Sequence, residues 1–133
     1  MSREVILLRQ ILVFISGAAV ARCSAMTERE FQDQVIRLAT LFGWRVHHVR
    51  PARVRVKGRD VYRTPVQGHK GFPDLVLARR GRVIFAELKA GRGRLDEEQI
   101  RWRDAMSGGQ SAEYAGWKMW RPEDWAEIER ILR

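Results

Sequence analysis

After Thr27, apolar residues recur at three- and four-residue spacing through Phe31, Val35, Leu38, Ala39 and Phe42. That stripe predicts an amphipathic helix lying on a core, because residues so spaced share one face. Thr27 offers an N-cap hydroxyl and Glu30, three positions on, completes a capping box, while Gly43 ends the run. The next residues, Trp44-Arg45-Val46-His47-His48-Val49, alternate as a strand does. Two short apolar runs follow, Leu75-Val76-Leu77-Ala78 and Val83-Ile84-Phe85-Ala86, parted by Arg79-Arg80-Gly81-Arg82. They predict a hairpin. With Arg79 facing Arg82 across an Arg80-Gly81 turn, Ala78 meets Val83, Leu75 meets Ala86, and Asp74 falls opposite Glu87. A basic turn, Gly91-Arg92-Gly93-Arg94, then opens onto Leu95, Ile100, Trp102 and Met106, a helix with acids in its first turn that Gly108-Gly109 stops. A strand over residues 113–120 and a helix starting near Pro122 and running through Trp125, Ile128 and Leu132 complete the order. The pattern is α/β, a mixed β-sheet flanked by helices, with no internal repeat.

Residues 50–70 fit no single element. They are rich in Arg and Lys, long for a connection in a compact domain, and so read as a flap or β-ribbon turned toward a polyanion. Val54, Val56, Val61 and Tyr62 suit a short hairpin about Lys57-Gly58-Arg59-Asp60. The whole chain has the same bias, with 25 Lys and Arg against 16 Asp and Glu in 133 residues, a net charge of +9. Its length suits one domain, and its single Cys23 excludes an internal disulfide. Residues 1–25 stand apart as an apolar extension. They are read as an upstream addition from a misplaced start or as a poorly docked helix, with an export leader as the other alternative. The apolar run over residues 11–21 is too short to span a membrane, so no membrane partner is expected; Glu4 and Arg22 count against an export leader, and a cytoplasmic location is the expectation.

The hairpin register gives the chemistry. Opposed residues of an antiparallel pair hold their Cβ atoms about 4.5–5.5 Å apart on one face of the sheet. Lys89 shares the face of Glu87, and Leu88 points to the other side, into the core. Two carboxylates about 5 Å apart repel by roughly 3 kcal/mol at an effective dielectric of about 20, so something positive is expected between Asp74 and Glu87. A hard divalent cation with a preference for oxygen, Mg²⁺ or Mn²⁺, suits a site with no Cys and no His pair. The blander alternative is a turn-capping Asp74 and a solvated Glu87–Lys89 pair at a frayed strand end. Glu28 and Gln32, four apart in the first helix, can both point toward this sheet end, whereas of His47 and His48 only one can. A structural or DNA-contacting role is expected for that histidine. Trp102, Trp117, Trp120 and Trp125 are expected in the core or at a subunit interface rather than stacked on bases.

The order Gly71-Phe72-Pro73-Asp74, a hairpin, then Glu87-Leu88-Lys89 resembles the PD-(D/E)XK nuclease signature, and within it the VRR-NUC branch. Thr27-Glu28-x-x-Phe31-Gln32 resembles the first helix of that branch, and Gln99 matches a glutamine after its lysine strand, so the likeness runs over residues 26–133. The resemblance implies a restriction-endonuclease-like core and a Mg²⁺- or Mn²⁺-dependent deoxyribonuclease. It implies an endonuclease acting on branched or junction DNA as a small homodimer. Asp74, Glu87 and the backbone carbonyl of Leu88 would be metal ligands, with Glu28 as a helix-borne carboxylate. Lys89 would orient water or neutralise charge on the phosphate, and Gln99 would hydrogen-bond a ligand or a phosphate. Arg50, Arg53, Arg55, Lys57, Arg59, Lys70, Arg92 and Arg94 would contact phosphates without reading bases. The rival expectation is a catalytically silent, basic DNA-binding protein that keeps the fold.

Overall fold

Thr27 and Glu30 start the first helix by exchanging bonds. The Thr27 hydroxyl accepts from the Glu30 amide at 3.2 Å, and the Thr27 amide donates to Glu30 Oε2 at 2.9 Å. The latter bond holds the Glu30 carboxyl below the usual carboxylate range. This computed structural model describes residues 26–63, 66–107 and 115–133. Helix α1, Glu28–Leu41, buries Phe31, Val35, Leu38 and Ala39, the expected stripe. Gly43, at φ 80°, then turns the chain into strand β1, Arg45–His48.

Strands β2, Ala52–Val56, and β3, Arg59–Arg63, form a two-stranded ribbon separate from the main sheet. Strands β4, Leu75–Arg79, and β5, Arg82–Leu88, form the central hairpin. Both hairpins turn on a pair of residues with positive φ, Lys57–Gly58 and Arg80–Gly81, the primed turn that matches strand twist. The β4–β5 register has Ala78 opposite Val83 and Leu75 opposite Ala86, as the apolar runs predicted. Helix α2, Glu97–Ser107, carries the chain across to strand β6, Ala115–Trp120, which runs parallel to β5. A 3₁₀ turn, Pro122–Asp124, leads into helix α3, Trp125–Leu132. The four-stranded mixed sheet has the order β1-β4-β5-β6.

Alternation sends Leu75, Leu77, Ile84, Ala86 and Leu88 to one face, where they join Phe31, Val35, Leu38, Ile128 and Leu132 in the buried core. Each large side chain so buried stabilises the fold by about 1.5–3 kcal/mol. The ends of α1 and α3 meet at Arg79, whose guanidinium donates to Phe42 O at 2.7 Å and to Arg133 O at 2.9 Å. It lies 4.9 Å from the centre of the Trp44 ring, and the Trp44 indole donates to Leu132 O at 2.8 Å. Carbonyls that a helix end leaves open thus find donors.

Three expectations need correction. Trp102 is expected in the core or at a subunit interface, yet no residue of α2 is buried. Trp102 instead donates its indole N–H to Lys70 O at 2.7 Å, pinning the loop before β4. The last α-helix begins at Trp125 rather than near Pro122. The Asp124 amide bonds Arg121 O at 2.9 Å while its carboxylate accepts from the Arg121 amide at 2.8 Å, closing a tight turn first. The first strand is also shorter than the alternating run, since Trp44 is in the core and Val49 lies beyond the ladder. The apolar extension at residues 1–25, the Gly108-Gly109 stop and the start of the strand expected at 113 lie outside the described residues. Among the described residues no helix is long and apolar enough to cross a membrane.

Candidate active site

Where β4 begins and β5 ends, the backbone ladder stops at the Leu75–Ala86 pair and side chains take over. Asp74 Oδ2 accepts from the Leu88 amide at 2.8 Å, a donor the ladder no longer serves. Leu88 itself is buried among the core residues, which turns Glu87 and Lys89 to the opposite face. There Glu87 is only 2% exposed, and one of its oxygens, Oε1, accepts both from Lys89 Nζ at 2.8 Å and from Gln99 Nε2 at 2.6 Å. The pair is therefore buried and doubly held, not the solvated pair of a frayed strand end.

Burial is the main force on the Glu87 carboxyl and pushes it up to about 7. The Lys89 hydrogen bond and charge pull it down, and the charges of Asp74 and Glu28 push it up again. Lys89 loses solvent too, which lowers its pKa, but the bond to Glu87 and the charges of Glu87, Glu28 and Asp74 outweigh that and raise it. Three carboxylates and one ammonium thus share one electrostatic neighbourhood, though Glu28 stands exposed on the first turn of α1.

Gln99 is fixed before it reaches Glu87. Its amide donates to Asp96 Oδ1 at 2.9 Å and its Oε1 accepts from the Asp96 amide at 3.0 Å, an N-terminal box that leaves Nε2 aimed at Glu87. Gly71 brings the Asp74 loop against the same helix start. At φ 80° it approaches so closely that a Cβ there would lie 2.7 Å from the Glu98 carbonyl carbon and 2.8 Å from Gln99 N. Phe72 then packs edge-on against Phe85 and Trp102, with ring centres 6.0 and 5.0 Å apart, and Pro73 is buried.

His48 and Gln32 complete the arrangement from the other side. His48 lies opposite Leu75 in the β1–β4 ladder, which brings its ring to Asp74. Nδ1 is 3.0 Å from Asp74 O, and Gln32 Nε2 lies 2.8 and 3.1 Å from the two ring nitrogens. One tautomer meets both neighbours, with Nδ1–H donating to the carbonyl and Nε2 accepting from the Gln32 amide. His47 points to the opposite face and is exposed. Sequence reasoning allowed at most one of the two histidines to face this end and placed Gln32 on a face with Glu28. It missed their union, for which the only signal was the strand order.

No known protein-family model matches this chain, and no curated protein does.

The site must therefore be judged on its own donor set. Among the described residues, no group of three or more His, Cys, Asp or Glu side chains gathers closely enough to hold a metal ion. The bonds of Asp74 and Glu87 engage Oδ2 and Oε1, so each carboxylate retains a second oxygen. A small hard cation such as Mg²⁺ is commonly held by one or two carboxylates with water completing its shell, and that donor chemistry fits Asp74 and Glu87. Glu28 would enter as an outer carboxylate.

The basic residues picked from sequence, Arg50, Arg53, Arg55, Lys57, Arg59, Lys70, Arg92 and Arg94, are all exposed. The ribbon carries Arg53, Arg55, Lys57 and Arg59, with Arg53 ion-paired to Asp60, while Arg92 and Arg94 follow the strand that bears Glu87. Arg121, not singled out in the sequence, holds that second group in place. Its guanidinium donates to Gly91 O at 3.0 Å and to Gly93 O at 2.6 Å. Nothing in the local sequence signals this contact, because it joins residues about thirty positions apart.

Proposed function

We propose that this chain is a Mg²⁺- or Mn²⁺-dependent DNA endonuclease of the PD-(D/E)XK type, close to the VRR-NUC branch, that cuts branched or junction DNA. The observation that carries the reading is the meeting of Asp74, Glu87 and Lys89 at one sheet end. There a buried carboxyl is pushed up to about 7 while its ammonium neighbour stays charged. Asp74 and Glu87 would hold the cation, with Glu28 and the Leu88 carbonyl as further oxygen donors. A divalent ion there would supply polarisation of a phosphoryl oxygen and a more acidic water. Lys89 neutralises charge that develops on the phosphate. Gln99 keeps Glu87 in place by its 2.6 Å bond, and the exposed arginines and lysines hold the DNA backbone. Two copies in a homodimer would present two sites to paired strands, and a cytoplasmic location suits a DNA substrate.

One observation favours a second reading, a silent DNA-binding protein. Lys89 and Gln99 both bond Glu87, and the Leu88 amide bonds Asp74, so protein donors already engage one oxygen of each carboxylate. The test separates the two. Purified protein is incubated with four-way junction, flap and linear DNA, with Mg²⁺, with Mn²⁺ or with chelator, alongside Asp74→Ala. Metal-dependent cutting by the parent, abolished in the variant while binding persists, supports the nuclease. An absence of cutting in either metal, or a variant that cuts at the parent rate, overturns it. Light scattering checks the homodimer, with twice the chain mass expected.

A further inference from the structure

The β2–β3 ribbon has two unlike faces. Val54 opposes Val61, and Val56 lies on that same side. The other side bears Arg53 opposite Tyr62 and Arg55 opposite Asp60. Tyr62 is 69% exposed, the most open of the exposed large apolar side chains among the described residues. Its ring therefore buries little against its own chain and is open to a partner. Arg53 holds Asp60 in an ion pair on this face and Arg55 is exposed beside it, while Lys57 sits in the turn and Arg59, opposite Val56, lies on the other face. Five cations, Arg53, Arg55, Lys57, Arg59 and Arg63, against one carboxylate give the hairpin a net positive charge.

We propose that the Tyr62 face of this ribbon binds unpaired nucleotides, with the ring stacking on a base and Arg53 and Arg55 meeting the neighbouring phosphates. The choice of partner follows from which surface of a base is free. Within a duplex the π-faces are occupied by neighbouring base pairs, so a ring standing on a ribbon gains nothing from stacking there. An unpaired base offers its face, and aromatic stacking on a positively charged track is how single strands are bound without sequence reading. This inference rests on the nuclease reading for its biological meaning, since a branch point is where paired and unpaired DNA meet. It narrows the substrate class to branched DNA with a single-stranded arm.

The experiment measures binding without cutting. Fluorescence anisotropy in chelator, at fixed salt, compares the full chain with Tyr62→Ala, Tyr62→Phe and Arg55→Gln on an oligothymidylate, a duplex and a fork with one unpaired arm. Tyr62→Ala is expected to weaken binding of the single strand and the fork about tenfold and leave the duplex unchanged. Tyr62→Phe, which keeps the ring, retains parent affinity. Arg55→Gln weakens binding to all three alike, as loss of a phosphate contact does. Equal loss on all three probes for Tyr62→Ala, or no loss on any, overturns the proposal. Cutting by the parent chain is scored separately with Mg²⁺ on the fork. A parent chain that cuts nothing yet shows this binding pattern sinks the nuclease reading and upholds the ribbon's preference.

Discussion

Replacing Glu87 by Gln tests the electrostatics of the site most directly, because the amide keeps the size and the accepting oxygen of the acid while removing its charge. The Glu87 carboxyl rises from 4.5 to about 7 on folding, chiefly by burial. A raised acid favours the folded state while it is protonated. Its stabilising contribution is therefore full below about pH 4.5 and is lost as pH climbs to about 7, beyond which the penalty is constant. At 1.36 kcal/mol for each pH unit the loss amounts to about 3 kcal/mol across that window. Lys89, raised above its ordinary 10.5, stays charged throughout and adds no slope there. Urea unfolding in chelator at several pH values from 5 to 8 should show the parent losing ground to Glu87→Gln by about this amount, with most of the change below pH 7. Adding Mn²⁺ at pH 8 should restore stability to the parent and not to the variant, since only an ionised carboxylate binds the ion. Parallel pH profiles for the two proteins would refute the buried-charge argument, and equal metal response would refute the cation site.

The remaining predictions concern what holds the site. Gly71→Ala should destabilise more than Gly91→Ala, because both have positive φ but only at Gly71 would the new Cβ strike backbone, 2.7 Å from Glu98. Conformation alone costs about 1–2 kcal/mol at either position, and chemical denaturation checks whether Gly71 exceeds it; equal losses would remove the packing argument. His48→Phe keeps a ring in place but breaks the bonds to Asp74 O and Gln32. It should cost about 1 kcal/mol in stability and slow cutting while leaving DNA binding unchanged, and an unaltered cutting rate would deny His48 a part in positioning Asp74.

The parts of the fold that were legible from sequence are those fixed by local rules. The spacing of Phe31, Val35 and Leu38 sets α1, and Thr27 with Glu30 sets its start. The pair Arg80–Gly81 sets the central turn, and with it the side of the sheet on which Asp74, Glu87 and Lys89 emerge. The ribbon was legible only as a suitable pattern, because a two-stranded hairpin with little to bury leaves a weak hydrophobic signal. Helix α2 misled because Ile100, Trp102 and Met106 do not share one stripe, and the helix covers the sheet with side chains that are only half-buried. What stayed hidden depends on strand order. Nothing local places β1 beside β4, so the approach of His48 to Asp74 could not be read. The hold of Arg121 on Gly91 and Gly93 is likewise a product of β6 lying next to β5.

Each residue of the candidate site also has a structural task, and this decides which substitutions are informative. Asp74 serves the Leu88 amide at the end of the ladder, so Asp74→Ala leaves that donor open and mixes lost chemistry with lost stability. Asp74→Asn keeps an accepting oxygen for Leu88 and removes only the charge. It should fold within about 1 kcal/mol of the parent, because a hydrogen bond contributes about that much and here it is retained in neutral form. Cutting should still be abolished, since the variant has lost one of the two anionic oxygen donors. A second consequence reaches Glu87. The charge of Asp74 is one of the forces raising the Glu87 carboxyl, so Asp74→Asn should move the pH window of the stability loss toward lower pH. If the window stays where it is in the parent, the two carboxylates do not feel one another. They would then have no shared ion to hold, whatever the variant does to cutting.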